Sequence, residues 1–266
     1  MTIPALRERE FSRSYQPPAE TTIVTVGEKV VGTLCNYVVY SGLPKTGKST
    51  YITGLLASAF TPFPVFTQKL YLPDGRKRVA LFDTESAPFD LARTRDRIVE
   101  LAHIRELPER MDIFSLREDG PYINRKFIEQ YLAQTPECAV AVVDGLLDLC
   151  VDYNDVTQTR EVTDWLKRTT KIYDICLVLV LHLSKNTGET LGHLGANTDR
   201  WAQSTLQVRK NKDTRQMILE SKFMRSDEEF QPVAVTYDAG MKKWRDEPYH
   251  EPVQEKRPPG RPKKTP

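Results

Sequence analysis

The sequence predicts an α/β protein in which a mostly parallel, twisted sheet is flanked by helices and followed by antiparallel strands near the C-terminus. Apolar runs at 37–40, 78–82, 139–143 and 176–181 alternate with segments of helical periodicity, which is the pattern of a parallel sheet. Each run ends in polar or glycine residues, as expected where the carboxyl ends of parallel strands form a site. From about residue 201 onward, short strand-like runs separated by polar turns replace this alternation.

The 266 residues divide into three segments of different composition. Residues 1–21 are polar and predict a flexible N-terminal arm. Residues 22–246 are long enough for one domain with a sizeable core. Residues 247–266 are basic and rich in proline, so we expect them to be disordered on their own. The 38 Lys and Arg residues nearly balance the 36 Asp and Glu residues, so the overall charge does not indicate a nucleic-acid partner and only local charge can.

The expected location of the protein is the cytoplasm. No apolar run approaches the length of a membrane span, no membrane partner is expected, and residues 1–10 are too charged for a secretion signal. The four cysteines are widely spaced and mostly border apolar runs. They predict buried, reduced thiols, and neither a disulfide framework nor a zinc site. They are Cys35, Cys138, Cys150 and Cys176.

The first half of the chain predicts strands on both sides of a glycine-bounded turn. Runs at 23–26 and 30–32 predict short strands that lead into the strand at 37–40. The turn at 42–49 then opens a helix that extends to about residue 60, where the sequence TPFP stops it. The segment from 70 to 82, with the turn PDGR in its middle, predicts a hairpin that runs into a core strand.

The second half predicts further alternation and then a change of pattern. Helices are expected at 89–104, 124–132 and 155–172, the last capped by Asp155, with strands at 111–115, 139–143 and 176–181. The strand at 176–181 is expected to be the last parallel one. The runs at 204–208, 216–219 and 233–237 predict antiparallel strands.

The sequence GLPKTGKS at 42–49 is typical of a phosphate-binding loop between a strand and a helix. Its glycines allow successive backbone N–H groups to face the phosphates of ATP, and the helix adds the positive end of its dipole. Lys48 is expected to neutralise the phosphates and Ser49 to hold Mg²⁺, while Pro44, which has no N–H, should lie early in the loop. The residues expected to bind the nucleotide are Gly42, Pro44, Lys45, Thr46, Gly47, Lys48, Ser49 and Thr50.

Polar residues at three other strand ends are candidates for catalysis. Asp144 fits a magnesium-side carboxylate or is an ordinary strand-end aspartate. Glu85 is the better candidate for polarising the attacking water, the alternative being an acid at a helix N-terminus, whereas Asp83 is expected to be structural. His182 either senses the γ-phosphate or is a hydrogen-bonded core histidine. The glycine-rich segment after it predicts a mobile loop in which Lys185 either meets a nucleic-acid phosphate or is simply solvated.

The motifs GLPKTGKS, LFDTES, AVVDG, LVLHLSKN and LGHLGANTDRWAQSTLQV, in this order, resemble the RecA-like ATPases of mobile elements and plasmids. The resemblance covers about residues 23–245 and is greatest to the RepA/DnaB-type hexameric helicase branch. It implies a RecA-like P-loop fold and ATP hydrolysis at the interfaces of a homo-oligomer, a hexamer in that branch, that forms a ring or filament around single-stranded DNA. It also implies that Glu85 is the catalytic glutamate, Asp144 the Walker B aspartate and His182 the sensor.

The same resemblance implies a basic residue that reaches the active site of a neighbouring subunit from the end of a late strand. The sequence KFMR at 222–225 occupies this place, and its spacing leaves open whether Lys222 or Arg225 has this role. Such an arginine would stabilise charge on the leaving phosphate. The alternative is a pair of solvent-exposed cations at a strand end.

The C-terminal tail carries an independent indication of DNA binding. The sequence PGRP at 259–262, with basic residues on both sides, resembles an AT-hook, in which an extended arginine lies in the narrow minor groove of A·T-rich duplex DNA. The alternative is a generic solvated basic tail. The residues concerned are Arg257, Gly260, Arg261, Pro262, Lys263 and Lys264.

Together these patterns predict a Mg²⁺-dependent ATP hydrolase that acts on DNA. The first hypothesis is an oligomeric, helicase-like motor in the replication or mobilisation of a plasmid or mobile element. A second is a RecA-like assembly protein that binds DNA under the control of ATP without unwinding it. A third is a regulatory or DNA-tethering module that binds ATP without hydrolysing it.

Overall fold

The structure, a computed structural model, describes residues 11, 13–185, 188–241 and 243–249. The strands of this part of the chain are β1 (Thr22–Val26), β2 (Lys29–Thr33), β3 (Tyr37–Gly42), β4 (Gln68–Leu70), β5 (Arg78–Asp83), β6 (Met111–Ser115), β7 (Cys138–Asp144), β8 (Cys176–His182), β9 (Ser204–Lys210), β10 (Met217–Met224), β11 (Val233–Asp238) and β12 (Lys243–Glu247). The helices are α1 (Lys48–Ser58), α2 (Pro88–Ala102), α3 (Pro121–Gln134), α4 (Val156–Ile172) and α5 (Gly192–Trp201), and a 3₁₀ turn spans Leu146–Leu149. The predicted cap of α4 is confirmed, since the Asp155 side chain accepts from the N–H of Gln158.

A nine-stranded sheet in the order β12-β11-β10-β9-β3-β8-β7-β5-β6 confirms the predicted fold class. The six strands from β9 to β6 are mutually parallel, and β10, β11 and β12 extend the sheet with antiparallel pairs. The continuously apolar sequences of β7 and β8 fit their central position, because a strand with helices on both faces buries every side chain. As in other open α/β sheets, the carboxyl ends of the parallel strands all lie on the same side of the molecule.

The two faces of the sheet are covered by different helices. Along β3, Val38 and Tyr40 join a core that contains residues of α1 and α2, whereas Tyr37 and Val39 join a core with residues of α3, α4 and α5. This alternation follows from the two-residue period of a strand. β3 is therefore anchored from both sides, and the loop at its carboxyl end starts from a rigid base.

The hairpin predicted between residues 70 and 82 is not formed. β4 pairs with β1 in a separate three-stranded sheet in the order β2-β1-β4, while β5 pairs with β6 and β7. The buried side chain of Gln68 explains the position of β4, because it accepts from the Tyr40 hydroxyl and donates to the Tyr51 carbonyl oxygen. A fully buried amide needs such partners, and Tyr40 of β3 and Tyr51 of α1 supply them.

The prediction that the strand at 204–208 is antiparallel is wrong for one of its two neighbours, so the strand at 176–181 is not the last parallel one. β9 runs parallel to β3 and antiparallel to β10. The crossover that a parallel neighbour requires is supplied by α5, which begins at Gly192 within the segment predicted to be a mobile loop. Leu194 of this helix is fully buried, so the second part of that segment packs into the core.

Three of the four cysteines are buried as predicted, and Cys35 is the exception. Cys35 is exposed because it lies in the turn between β2 and β3, with a positive φ of 62° and its thiol 2.9 Å from the Asp174 carboxylate. Of the predicted N-terminal arm, residues 11 and 13–21 are described, and they contain neither helix nor strand. Among the helices of the described residues, none is both long and apolar enough to span a membrane.

Candidate nucleotide-binding site

The loop between β3 and α1 is shaped by two glycines. Gly47 has a φ of 104°, and a Cβ at this position would lie 2.1 Å from the sulfur of Met217. A Cβ on Gly42 would lie 2.5 Å from the carbonyl oxygen of Val208. Neither position has room for a side chain. Gly47 also precedes α1 without any side-chain cap, which leaves the N-terminus of this helix available to an anion.

A cavity of about 280 Å³ lies between this loop and the carboxyl ends of the strands, and we call it the phosphate cavity. One side offers the Lys48 ammonium group, the exposed Ser49 residue and the helix N-terminus, while the opposite side offers carboxylates. This set of groups fits a triphosphate with a divalent cation, because oxygen ligands suit Mg²⁺ and cationic or N–H groups suit phosphates. The lining residues are Lys45, Gly47, Lys48, Ser49, Thr50, Glu85, Asp144, His182 and Met217.

Lys48 joins the loop to the neighbouring strand β8. Its Nζ donates to the carbonyl oxygens of Gly42, at 2.9 Å, and Leu43, at 3.1 Å, and lies 3.0 Å from Nδ1 of His182. Because an ammonium group only donates, Nδ1 of His182 accepts this hydrogen bond and its proton resides on Nε2. Burial lowers the pKa of Lys48 to about 8, so its charge at neutral pH is sensitive to the anions that surround it.

Glu85 lies at the other end of the same histidine. Nε2 of His182 is 3.2 Å from Oε2 of Glu85. Two hydrogen bonds therefore connect Lys48 to Glu85 through His182. This hydrogen bond is the main reason that the pKa of Glu85 lies below its usual range. Asp83 shapes the turn that directs Glu85 into the cavity, because its Oδ1 accepts from the N–H groups of Glu85 and Ser86.

The register of the parallel strands brings Asp144 to the same place. Asp144 pairs with Asp83 of β5 and with Val180 of β8, two residues before His182. Burial raises the pKa of Asp144 to about 7, and the charges of Asp83 and Glu85 add to the rise. A bound cation next to this carboxylate would lower that pKa again, as the positive charge of Lys48 already does in part.

This perturbed carboxylate predicts an unusual pH dependence of stability. Unfolded Asp144 loses its proton near pH 4, but folded Asp144 does so near pH 7, so its contribution to stability falls as the pH rises through this interval. We therefore expect Asp144→Asn to raise the melting temperature of the nucleotide-free protein at pH 8 and to change it less at pH 5. Thermal unfolding at both pH values checks this, with the exposed Asp119→Asn as control. An equal change at both pH values would contradict it.

Three residues at the site were not singled out from the sequence. Met217, at the start of β10, lines the phosphate cavity and contacts Gly47. Thr84 lies 2.7 Å from Oδ2 of Asp148 and also approaches the carbonyl oxygens of Asp144 and Gly145. Such contacts join residues that are far apart in the sequence and depend on the register of the strands, so no local sequence motif predicts them.

The remaining predicted residues do not all lie at the phosphate cavity. Lys185 and Pro44 line a neighbouring cavity of about 520 Å³ together with His182. Lys222 and Arg225 lie toward the amino ends of the parallel strands, away from the phosphate cavity. This is because β10 runs antiparallel to β9 and its last residue pairs with Ser204, the first of β9. The tail residues from Arg257 to Lys264 lie outside the described residues.

Lys222 and Arg225 have different surroundings. The Lys222 ammonium group pairs with Glu189 at 3.1 Å and with Asp199 at 3.7 Å. Arg225 is exposed and donates to the carbonyl oxygen of Arg200. Both residues line a cavity of about 770 Å³ that is separate from the phosphate cavity. Within one chain, neither residue contributes to the site formed by Lys48, Glu85 and Asp144.

A glycine-bounded phosphate loop between the first core strand and its helix, on a mostly parallel sheet, defines a P-loop ATPase. The comparison with protein families agrees with this class. Residues 34–188, more than half of the chain, match the model of the family described as "AAA domain", and the chain belongs to this family. No curated protein matches the chain.

Proposed function

We propose that the protein hydrolyses ATP with Mg²⁺, acts on DNA and works as an oligomeric, helicase-like motor in the replication or mobilisation of a plasmid or mobile element. The observation that carries the hydrolytic part is the line of contacts from Lys48 through His182 to Glu85, with Asp144 beside it. A phosphate-binding cation, a polarised carboxylate and a metal-side carboxylate thus surround one cavity. This is the set of groups that phosphoryl transfer to water requires.

Each of these groups has a distinct part in the proposed reaction. The loop amides and Lys48 bind the phosphates, while Ser49 and Asp144 would hold a magnesium ion, which would supply charge neutralisation for the phosphates. Glu85 orients the attacking water and accepts its proton, and its low pKa keeps it ionised at neutral pH. His182 holds the Glu85 carboxylate in position and is in contact with Lys48, so a change at the phosphates reaches the carboxylate through two hydrogen bonds.

The positions of Lys222 and Arg225 support the oligomeric part of the proposal. Because both lie away from the phosphate cavity of their own chain, they can serve catalysis only in the site of a neighbouring subunit. Arg225 is the better candidate, since Lys222 is already engaged by two carboxylates. A guanidinium group also suits phosphate recognition better than an ammonium group does.

Mixing two inactive variants tests this arrangement. Arg225→Ala retains Glu85, and Glu85→Gln retains Arg225, so a mixed oligomer contains some interfaces with both groups intact. We expect each variant alone to have little ATPase activity and the mixture to recover part of it. If the mixture is no more active than the two components measured separately, the sites are not completed by neighbours.

Particle mass and strand displacement test the remaining parts of the proposal. With a non-hydrolysable ATP analogue and single-stranded DNA, we expect a larger particle than with either ligand alone. Displacement of a labelled strand only in the presence of ATP identifies a motor, whereas assembly without displacement identifies an ATP-switched DNA-binding protein.

Deletion of residues 255–266 should weaken binding to A·T-rich duplex DNA and spare basal ATP hydrolysis.

A further inference from the structure

A second cavity, of about 540 Å³, lies between the phosphate loop and the turn that joins β9 to β10. Five of its lining residues are basic: Lys45, Arg209, Lys210, Lys212 and Arg215. Its lining also includes the apolar residues Leu43 and Val208 and, among the described residues, no acidic one. We call this cavity the basic cleft. It is distinct from the phosphate cavity, with which it shares Lys45.

Most of the charge in the basic cleft is not neutralised by the chain itself. Arg209 is paired with Glu220 at 2.8 Å and donates to the Tyr249 hydroxyl. The other four side chains are exposed and have neither an ion pair nor a hydrogen bond to another side chain within the described residues. Four neighbouring cations without counter-charges repel one another, so the cleft favours a polyanionic ligand.

The turn that presents these cations has a defined conformation. The Asn211 side chain, which is buried, accepts from the N–H groups of Asp213 and Thr214, and the backbone N–H of Asn211 donates to the carbonyl oxygen of Gln216. The Gln216 amide in turn donates to the carbonyl oxygen of Pro248. Lys212 and Arg215 therefore project from a turn that is fixed on both sides. Asp213, in the same turn, is not among the lining residues.

We propose that the basic cleft binds the phosphate backbone of single-stranded nucleic acid. This inference rests on the proposed action on DNA and identifies a contact surface for it. An open, cationic groove that also has apolar lining residues suits a single strand, whose phosphates contact the cations while its sugars and bases contact Leu43 and Val208. Because Lys45 belongs to the nucleotide loop as well as to the cleft, a strand bound here contacts the element that binds ATP.

Two double variants and one matched control test the proposal. Lys212→Gln/Arg215→Gln removes two cations, and Lys212→Glu/Arg215→Glu reverses them. The control, Arg105→Glu/Lys171→Glu, reverses two exposed cations that lie shortly before the amino ends of β6 and β8, away from the basic cleft. The probe is a fluorescently labelled oligothymidylate, titrated by anisotropy at several salt concentrations between about 50 and 200 mM, in the full-length chain. Thermal unfolding verifies that each variant is folded.

We expect the Gln pair to bind the oligothymidylate about tenfold more weakly at low salt, and the Glu pair more weakly still. The slope of log affinity against log salt should become shallower by about 1.4 for the Gln pair, since each phosphate contact on a single strand contributes about 0.7. A purely structural effect of the substitutions would not change this slope. The control variant should retain both the affinity and the slope of the parent protein.

Three results would overturn the inference, and they differ from one another. A folded Gln pair with the affinity and slope of the parent would show that the strand binds elsewhere, while the proposed action on DNA stands. If the Gln pair forms a particle of different mass from the parent protein but binds each strand with the parental affinity, the cleft contacts a protein partner. If the parent protein does not bind the oligothymidylate at all, the proposed action on single-stranded DNA fails as well.

Discussion

Replacing Glu85 by Gln is expected to lower the rate of ATP turnover by about a hundredfold or more, because a positioned general base contributes factors of this size. The amide oxygen of Gln is able to accept the hydrogen bond from His182, so the geometry of the site should be preserved. Affinity for ATP should change little, since the loop and Lys48 are untouched. Steady-state hydrolysis and equilibrium binding of a fluorescent ATP analogue measure the two effects separately.

Glu129→Gln is the matched control for this experiment. Glu129 also accepts a hydrogen bond from a ring N–H group, that of Trp165 at 2.8 Å, but it lies on α3, away from the phosphate cavity. We expect its substitution to leave turnover unchanged. Full turnover in Glu85→Gln would assign the polarisation of water to another group and contradict the role given to Glu85.

The second large effect is expected at Gly47. Alanine here would place a Cβ 2.1 Å from the Met217 sulfur, on a backbone with a φ of 104° that side chains rarely adopt. The strain should lower the free energy of unfolding by about 1–3 kcal/mol and shift the loop amides away from the phosphates. We therefore expect Gly47→Ala to bind ATP at least about tenfold more weakly, measured by calorimetry, a loss of about 1.4 kcal/mol in binding.

Gly75→Ala separates backbone strain from the loss of the site. Gly75 also has a positive φ, of 76°, but a Cβ there meets nothing within 4 Å and the residue lies in the turn before β5. This control should cost stability and leave nucleotide binding intact. Parental ATP affinity in Gly47→Ala would mean that the loop does not need the positive φ of Gly47 to bind the nucleotide.

The parts of the fold that the sequence predicts correctly are those in which local pattern and burial agree. β7 and β8 are continuously apolar because both faces are covered, and a polar residue ends each strand. This pattern alone is enough to expect Asp144 and His182 at one edge of the sheet. The hydrogen bonds of His182 to Lys48 and Glu85 depend on the order and register of the strands, which the pattern does not specify.

The errors occur where local pattern and tertiary context disagree. α5 contains Gly192 and Gly195, which lower its helix propensity and make its first turn similar to a loop. Its existence determines that β9 is parallel to β3, so one missed helix produced the wrong direction for one strand pair. Met217 contacts Gly47 although the two residues are far apart along the chain, and no spacing in the sequence indicates such a contact.

The proposed reaction depends on binding of the nucleotide phosphates in the cavity at the junction of β3 and α1. Its most direct test is the affinity of Lys48→Ala for a fluorescent ATP analogue. The control is Lys69→Ala, which removes another partly buried lysine whose ammonium group also donates to backbone carbonyl oxygens, among them that of Ser58 at 2.7 Å. This mode of binding predicts a loss of at least about tenfold in affinity for Lys48→Ala, as expected for a charge-assisted contact, and parental affinity for Lys69→Ala. Parental affinity in a folded Lys48→Ala protein would contradict it.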